Sequence, residues 1–314
     1  IKAEYSDIKQ TSMSQTNDGG YVGVCGRKIT KYNSQFEVEW EKSNELIDES
    51  IGNYYCSYNQ VIQLNDGGYI ALASKGYSHD DEKMIVLSKF NYKGESEWNQ
   101  IVPAKGNAGN IIISKDNYIM VAVGKNSYND TIESAQQGGS SRPTIGIFKY
   151  TLQGDYIGQK EFFTGGEYNG VECAKIMEDN NGNFIVYSTN SQYEGGWILK
   201  LDKNLDLLWV KKLGKTAHGE YSSVNVLEDG CIDNDGGYLF VGTTQERAEY
   251  GVYTNAVGDD DNYLISAVIA KYSKQGELEW IKEVETRDIS HWNIEKLYGI
   301  LKLKDGSYVV QGEK

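Results

Sequence analysis

The residues best suited to metal or acid–base chemistry are three histidines, His79, His218 and His291. Gathering imidazoles on one ion calls for short spacings such as HxH or HExxH. None occurs here, so histidines exposed to solvent or packed within loops are the simplest reading, contact with a ligand is the stronger functional one, and no metal site is expected from them. The acidic run Asp259-Asp260-Asp261-Asn262 offers oxygen ligands for calcium but lacks the D-x-D-x-D-G spacing of a calcium loop. A solvated loop tip is the simpler reading. Glu172 and Glu220 could serve as a glycosidase acid and base, although 45 acidic residues allow many such pairs to be drawn. A final group consists of aromatic residues: Tyr54, Tyr55, Tyr77, Tyr128, Tyr168, Tyr193, Trp197, Tyr221, Tyr250, Tyr253 and Trp292. Rings flanked by Asn, Gln, Glu and Asp suit a sugar, whose apolar face stacks while its hydroxyls find acceptors. The same rings would anchor a protein partner.

Charge narrows the partners. A formal net charge of -14 and a pI near 4.8 oppose a phosphate backbone, which is held mainly by Lys and Arg, so no nucleic acid is expected. Anionic lipid is disfavoured for the same reason, and no apolar run approaches the roughly 20 residues that a helical span requires. Neither membrane insertion nor a bound cofactor is expected, and a monomer fits. Cys25, Cys56, Cys173 and Cys231 show no CxxC spacing. They read as buried small apolar thiols, Cys25 standing where the next repeat has Ala73.

The elements that must position these residues are set by a recurring phrase in which an aromatic enters a strand directly after a tight polar turn. It reads NDGGYVGV from Asn17, NDGGYIAL from Asn65, KDNYIMV from Lys115, NNGNFIVY from Asn180, NDGGYLFV from Asn234 and KDGSYVV from Lys304. With 24 Tyr, 35 Gly and 2 Pro, the composition favours many strands joined by glycine turns over packed helices. Each unit reads as four antiparallel strands, a to d. Strand a is a short apolar stretch such as Val61 to Leu64, and strand b carries the aromatic (Tyr21, Tyr69, Tyr118, Phe184, Tyr238, Tyr308). Strand c ends in Lys plus an apolar residue in five units: Lys31-Tyr32, Lys89-Phe90, Lys149-Tyr150, Lys200-Leu201 and Lys271-Tyr272. Nine residues on, strand d carries Trp40, Trp98, Trp209 and Trp280, with Gly158 in the third unit. These four Trp read as structural plugs between neighbouring sheets. Trp197 and Trp292 fall outside that pattern.

Spacing separates a constant end of each sheet from a variable one. The b–c step runs from Tyr21 to Lys31 in the first unit but from Tyr238 to Lys271 in the fifth, whereas the a–b and c–d turns keep their length. Antiparallel strands place a–b and c–d turns at one end of a sheet and b–c and d–a connections at the other. The b–c and d–a loops hold all three histidines and Arg27, Arg142, Arg247 and Arg287. Irregular loops on a regular scaffold are where binding usually resides.

Four-stranded units repeated six times predict an all-β fold, a β-propeller of six blades in a single domain over 1–314. The units span about 5–45, 55–103, 108–163, 170–214, 221–284, and 293–314 completed by 1–5. The phrases resemble the DGGYIVAG-type repeats, followed by K-L-D-x-x-G-x-x-x-W, of bacterial secreted and cell-surface propeller proteins. KYSKQGELEW, from Lys271 to Trp280, is also similar to the tryptophan-docking repeat of quinoprotein propellers. The first resemblance implies an extracellular or cell-surface location and leaves function open. Arginines in loops raise the sialidases, but their S-x-D-x-G-x-x-W box is missing. Two readings of the ends stand side by side. In one, Ile1-Lys2-Ala3, which matches Ile281-Lys282-Glu283, adds an outer strand to the last blade; in the other, the chain is part of a longer protein.

The expected function is recognition of a glycan or protein ligand at the b–c and d–a loops. Trp197, Trp292, Tyr221 and Tyr253 lead the candidates, with Tyr54, Tyr55, His79, His218 and His291 behind them. A glycan-active enzyme using Glu172 or Glu220 and a purely structural propeller are the alternatives.

Overall fold

A computed structural model describes residues 12–43, 54–77, 83–127, 142–163, 171–190, 196–213, 226–247, 263–284, 296–303 and 305–313. Among the described residues the chain forms 22 strands and no helix. They make six antiparallel sheets, the blades of a β-propeller.

The chain divides into two compact units, Ile1–Gly165 and Gly166–Lys314. The first contains sheet 1, β1–β4 (Ser12–Gln15, Tyr21–Cys25, Lys28–Tyr32, Val38–Ser43); sheet 2, β5–β8 (Tyr54–Gln63, Tyr69–Tyr77, Met84–Phe90, Ser96–Lys105); and sheet 3, β9–β12 (Asn107–Ile113, Tyr118–Ser127, Arg142–Thr151, Tyr156–Phe163). The second contains sheet 4, β13–β16 (Val171–Glu178, Phe184–Asn190, Trp197–Leu201, Leu207–Lys212); sheet 5, β17–β20 (Val226–Ile232, Tyr238–Arg247, Tyr263–Tyr272, Leu278–Glu283); and sheet 6, β21–β22 (Lys296–Lys302, Tyr308–Glu313). Neighbours in sequence are neighbours in each sheet, so strands a to d of the repeat follow one another in space. The expected addition of residues 1–5 to sheet 6 lies outside the described residues.

Alternation along strand b builds the core. In β6, Tyr69, Ala71 and Ala73 pack with Val22, Val24 and Ile29 of sheet 1, while Ile70 and Leu72 pack with Ile119, Val121 and Phe148 of sheet 3. Both faces of the sheet are buried, and the alanines let sheet 1 approach closely. In the second unit, Phe240 and Tyr238 pack with Ile185, Tyr187 and Ile198 of sheet 4, and Leu239 and Val241 pack with Leu297 and Ile300 of sheet 6.

Strand a differs from the short stretch read from Val61 to Leu64. In sheet 2 it runs from Tyr54 to Gln63, and Leu64 already belongs to the turn. The pairing slips between Tyr58 and Gln60, and such slips recur between Leu227 and Asp229, between Leu297 and Gly299 and between Val171 and Cys173. Each is a β-bulge, whose extra residue breaks the apolar alternation by which strand a would be recognised.

The thiol reading also needs correction at Cys25, which is exposed and free. The first b–c connection is so short that Cys25 pairs with Lys28 across a turn, whereas Ala73 lies well inside β6. Cys231 is partly buried and also free.

Candidate functional site

The constant end of each sheet closes on itself. In the a–b turn of sheet 1, the Gly19 amide donates to the Thr16 carbonyl and the Thr16 amide to the Gly20 carbonyl, with Gly19 at φ +82°. Only a residue tolerant of left-handed backbone completes this hairpin, and Asn117 takes that place in sheet 3 at φ +61°. The c–d turns repeat the geometry. The Asn33 carboxamide oxygen accepts from the Gln35 and Glu37 amides, as Asn91, Asp202 and Ser273 do in sheets 2, 4 and 5.

Beneath these turns, the strand c lysine ties strand c to its own a–b turn in sheets 1, 2, 4 and 5, and in sheet 4 it also reaches the next sheet. Lys31 is nearly buried and lies 2.9 Å from Asp18 and 2.7 Å from Glu39. Burial works against its charge, but hydrogen bonds to Glu39 and Asp18 still raise its pKa. Lys89 joins Asp66 and Glu97, and Lys271 joins Asp233, Asp235 and Glu279. In sheet 3, Lys149 instead lies 3.9 Å from the centre of the Tyr118 ring. Lys200 is 3.0 Å from the buried carboxylate of Asp179 and donates to the Tyr238 hydroxyl of sheet 5 at 2.9 Å. Burial opposes the charge of Asp179, yet donors from Asn183, Lys200 and Asn181 hold its pKa below the ordinary value. Tyr308 of sheet 6 donates to Asp233 of sheet 5, and burial with that carboxylate pushes its pKa up to about 12.

The strand d indoles meet the next sheet at the same end. Trp40 stands edge-on to Tyr69 with ring centres 5.6 Å apart, and Trp209 approaches Tyr238 at 6.1 Å. Each indole also lies against a left-handed glycine of the next c–d turn: Trp40 on Gly94, Trp98 on Gly154 and Trp209 on Gly276. Trp280 packs with Leu297, Ile300 and Tyr308, and Lys282 lies over its ring.

A polar row in strand a escapes the sequence reading. Gln60 accepts from the Ile111 amide of the next sheet at 2.6 Å, and Asp229 accepts from the Ile300 amide of the next sheet at 3.0 Å. Both donors lie just after a bulge, where the ladder is interrupted. Lys175 donates to the Glu228 carbonyl and lies 3.6 Å from Asp229, which also receives the Tyr187 hydroxyl at 3.3 Å. Gln60, Lys175 and Asp229 all stand six residues before the second polar residue of the turn, Asp66, Asn181 or Asp235. That fixed spacing was the available signal. These groups hold neighbouring sheets together and are occupied in doing so.

The variable end carries the sequence candidates, and few fall within the described residues. Trp197 opens β15, half-buried, opposite Ser188 on β14 and Lys212 on β16. Its neighbour Gly196 is fixed by close approach, since a Cβ there would meet the Ser188 carbonyl oxygen at 2.1 Å. Tyr54 and Tyr55 lie at the start of β5, opposite Tyr77 and Gly76. Glu172 is the extra residue of the bulge in β13. Trp292, Tyr221, Tyr253, His79, His218, His291, Glu220 and Asp259 to Asn262 lie outside the described residues. Trp197 therefore belongs to sheet 4, while Tyr54 and Tyr55 belong to sheet 2. Among the described residues, no group of three or more His, Cys, Asp or Glu could hold a metal ion.

No family model and no curated protein matches this sequence. Solved structures do. A hydrazine synthase structure from Kuenenia stuttgartiensis is similar over 99% of this chain and 76% of its own, with a TM-score of 0.61 and 11% identity. At that identity the likeness shows the fold alone. The Neurospora crassa Pan2 WD40 domain matches 87% of this chain and 71% of its own at TM-score 0.49 and 9% identity. A subtype N10 neuraminidase-like protein of A/little yellow-shouldered bat/Guatemala/060/2010 matches 88% of this chain and 79% of its own at TM-score 0.47 and 12% identity.

Proposed function

We propose that this chain is an extracellular recognition propeller that binds a glycan or protein ligand through the b–c and d–a loops, without catalysis. The supporting observation is the contrast between the two ends of the sheets. At the a–b and c–d end, carboxylates, carboxamides and lysines are committed to turn amides and to the neighbouring sheet. The other end has loops of unequal length carrying Tyr221, Tyr253 and Trp292, with Trp197 at the start of β15, aromatics that the repeat does not require. The decisive experiment screens glycan arrays and extracellular protein libraries with the intact chain and with a variant in which those four residues become Ala. Binding lost in a folded variant supports this reading; binding that survives all four changes rejects it.

A second reading is a glycan-active enzyme, and one observation favours it. Glu172 occupies a β-bulge, a feature that often re-aims a side chain beside an active site. Turnover of chromogenic glycosides that disappears in Glu172→Gln would replace recognition by catalysis.

A further inference from the structure

We propose that Asn181, in the a–b turn of sheet 4, is a self-modification site: its carboxamide is hydrolysed through a cyclic imide with Gly182, and the carboxylate so formed gives Lys200 a second partner. The six a–b turns supply the comparison. Their third residue is Asp18, Asp66, Asp116, Asp235 or Asp305 in five sheets, and Asn181 in sheet 4. Asn181 is exposed and is followed by Gly182, at φ +80°. Among the described residues no other asparagine precedes a glycine. Glycine has no Cβ to crowd the attack of its nitrogen on the side chain before it, so this pair closes the imide more readily than other asparagine pairs.

The chemistry balances with water alone. The Gly182 nitrogen gives up its proton and bonds to Asn181 Cγ, while the carboxamide nitrogen leaves as ammonia. Water then opens the five-membered imide. Cleavage between nitrogen and Cγ leaves aspartate in an unaltered backbone. Cleavage at the main-chain carbonyl leaves isoaspartate, with one more methylene in the turn.

The turn sets the pace. Its closed form occupies the nucleophile, because the Gly182 amide donates to the Asp179 carbonyl at 3.1 Å. The Asp179 carboxylate also holds the Asn181 and Asn183 amides at 2.8 and 2.9 Å. The reaction therefore waits on opening of the hairpin, which Lys200 resists through its 3.0 Å contact with Asp179. Sheet 5 displays the product arrangement. There Lys271 lies 2.6 Å from Asp233 and 2.5 Å from Asp235, the residues equivalent to Asp179 and Asn181. Hydrolysis at Asn181 thus builds the lysine site of sheet 5 into sheet 4 and tightens the turn whose opening allowed it.

The test incubates the intact folded chain at pH 8 and follows its peptides by mass, with Asn181→Gln as the variant that cannot close a five-membered imide. Conversion at Asn181 is expected on the order of tenfold faster than at Asn91 and Asn204, which precede larger residues, with aspartate among the products. Lys200→Met, which loosens the turn, should speed conversion in step with amide exchange at Gly182. In a directly made Asn181→Asp variant, the new carboxyl should titrate below the ordinary carboxylate value by NMR, since an adjacent ammonium favours the charged form. That titration and the native conversion rate decide the matter if Lys200→Met does not fold. Conversion no faster than at Asn91 and Asn204 overturns the proposal, as does isoaspartate as the sole product. A carboxyl at position 181 that titrates at or above the ordinary value overturns it too, as does a rate in folded Lys200→Met that does not follow Gly182 exchange. None of these outcomes bears on the loop-face reading.

Discussion

Gly276 of sheet 5 rests on the indole of Trp209 of sheet 4, so closely that a Cβ built on it would lie 2.7 Å from Cη2 and Cζ3. The glycine has φ +79°, so sterics and backbone conformation demand the same residue. Gly94 against Trp40 and Gly154 against Trp98 repeat the relationship. The constant c–d turn thus serves as a socket for the previous sheet's tryptophan, which explains why the spacing from Lys to Trp does not drift. The c–d turn of sheet 4 has the buried Leu205 at the corresponding turn position, at φ +66°.

Gly276→Ala is expected to destabilise the protein by about 1–3 kcal/mol through left-handed strain and displacement of the indole. Gly158→Ala provides the contrast, since nothing lies within 4 Å of a Cβ there. It should be neutral, or stabilising by about 0.4–1 kcal/mol through the unfolded chain. Urea midpoints of the two variants measured side by side test the socket. Equal losses would mean that the close approach at Gly276 carries no special weight.

Lys200→Met leaves Asp179 buried without its ammonium partner, and a loss of about 3–5 kcal/mol is expected. The pH dependence follows from the direction of each shift. Asp179 has a lowered pKa in the folded state, so its contribution is complete above the ordinary carboxylate value, about 3.9, and disappears as pH falls through the lower folded value. Lys200 has a raised pKa despite burial, so its contribution is complete below about 10.4 and disappears as pH rises through the higher folded value. Stability of the native chain should be flat near neutrality and fall at both extremes. In the Lys200→Met, Asp179→Asn double variant both slopes should shrink, as read from urea midpoints across pH. Unchanged slopes would place the titrating groups elsewhere.

The propeller was legible because its grammar is local. Turn glycines, the strand b aromatic and the Lys-to-Trp step each depend on a few consecutive residues, and the sheets follow them. The latches were less legible, since Lys200 finds Asp179 within its sheet and Tyr238 in the next, a pairing that no spacing within one unit states. Strand a was misread because a bulge at Asn59 shifts the register between Tyr58 and Gln60. Cys25 was misread because homology of position with Ala73 ignored that β2 ends there. As for the site, Trp197 stood out by breaking a pattern, whereas Gln60 and Asp229 were hidden in a strand whose alternation the bulge had scrambled.

The two described thiols should separate cleanly in reactivity. Cys25 is exposed, while burial, reinforced by Asp229 and Asp233, pushes the Cys231 thiol up to about 11. Since the thiolate is the reacting species, Cys25 should react with a disulfide reagent at pH 8 at least tenfold faster than Cys231 in the folded protein, and the two should converge in denaturant. Peptide mapping after timed labelling distinguishes them. Preferential labelling of Cys231 would contradict the burial of β17 against sheet 6.

Gln60 offers the sharpest test of the strand a row. Its carboxamide oxygen accepts from the Ile111 amide across the gap between sheets 2 and 3, next to a bulge in β9. Gln60→Ala should leave that donor unsatisfied and cost about 1–3 kcal/mol, whereas Gln60→Glu, which keeps the acceptor, should cost appreciably less. Amide exchange at Ile111 provides a local readout: faster in the alanine variant, near native in the glutamate variant. If Ile111 exchanges equally in all three proteins, water replaces the side chain freely, and the row contributes shape and not cohesion between the sheets.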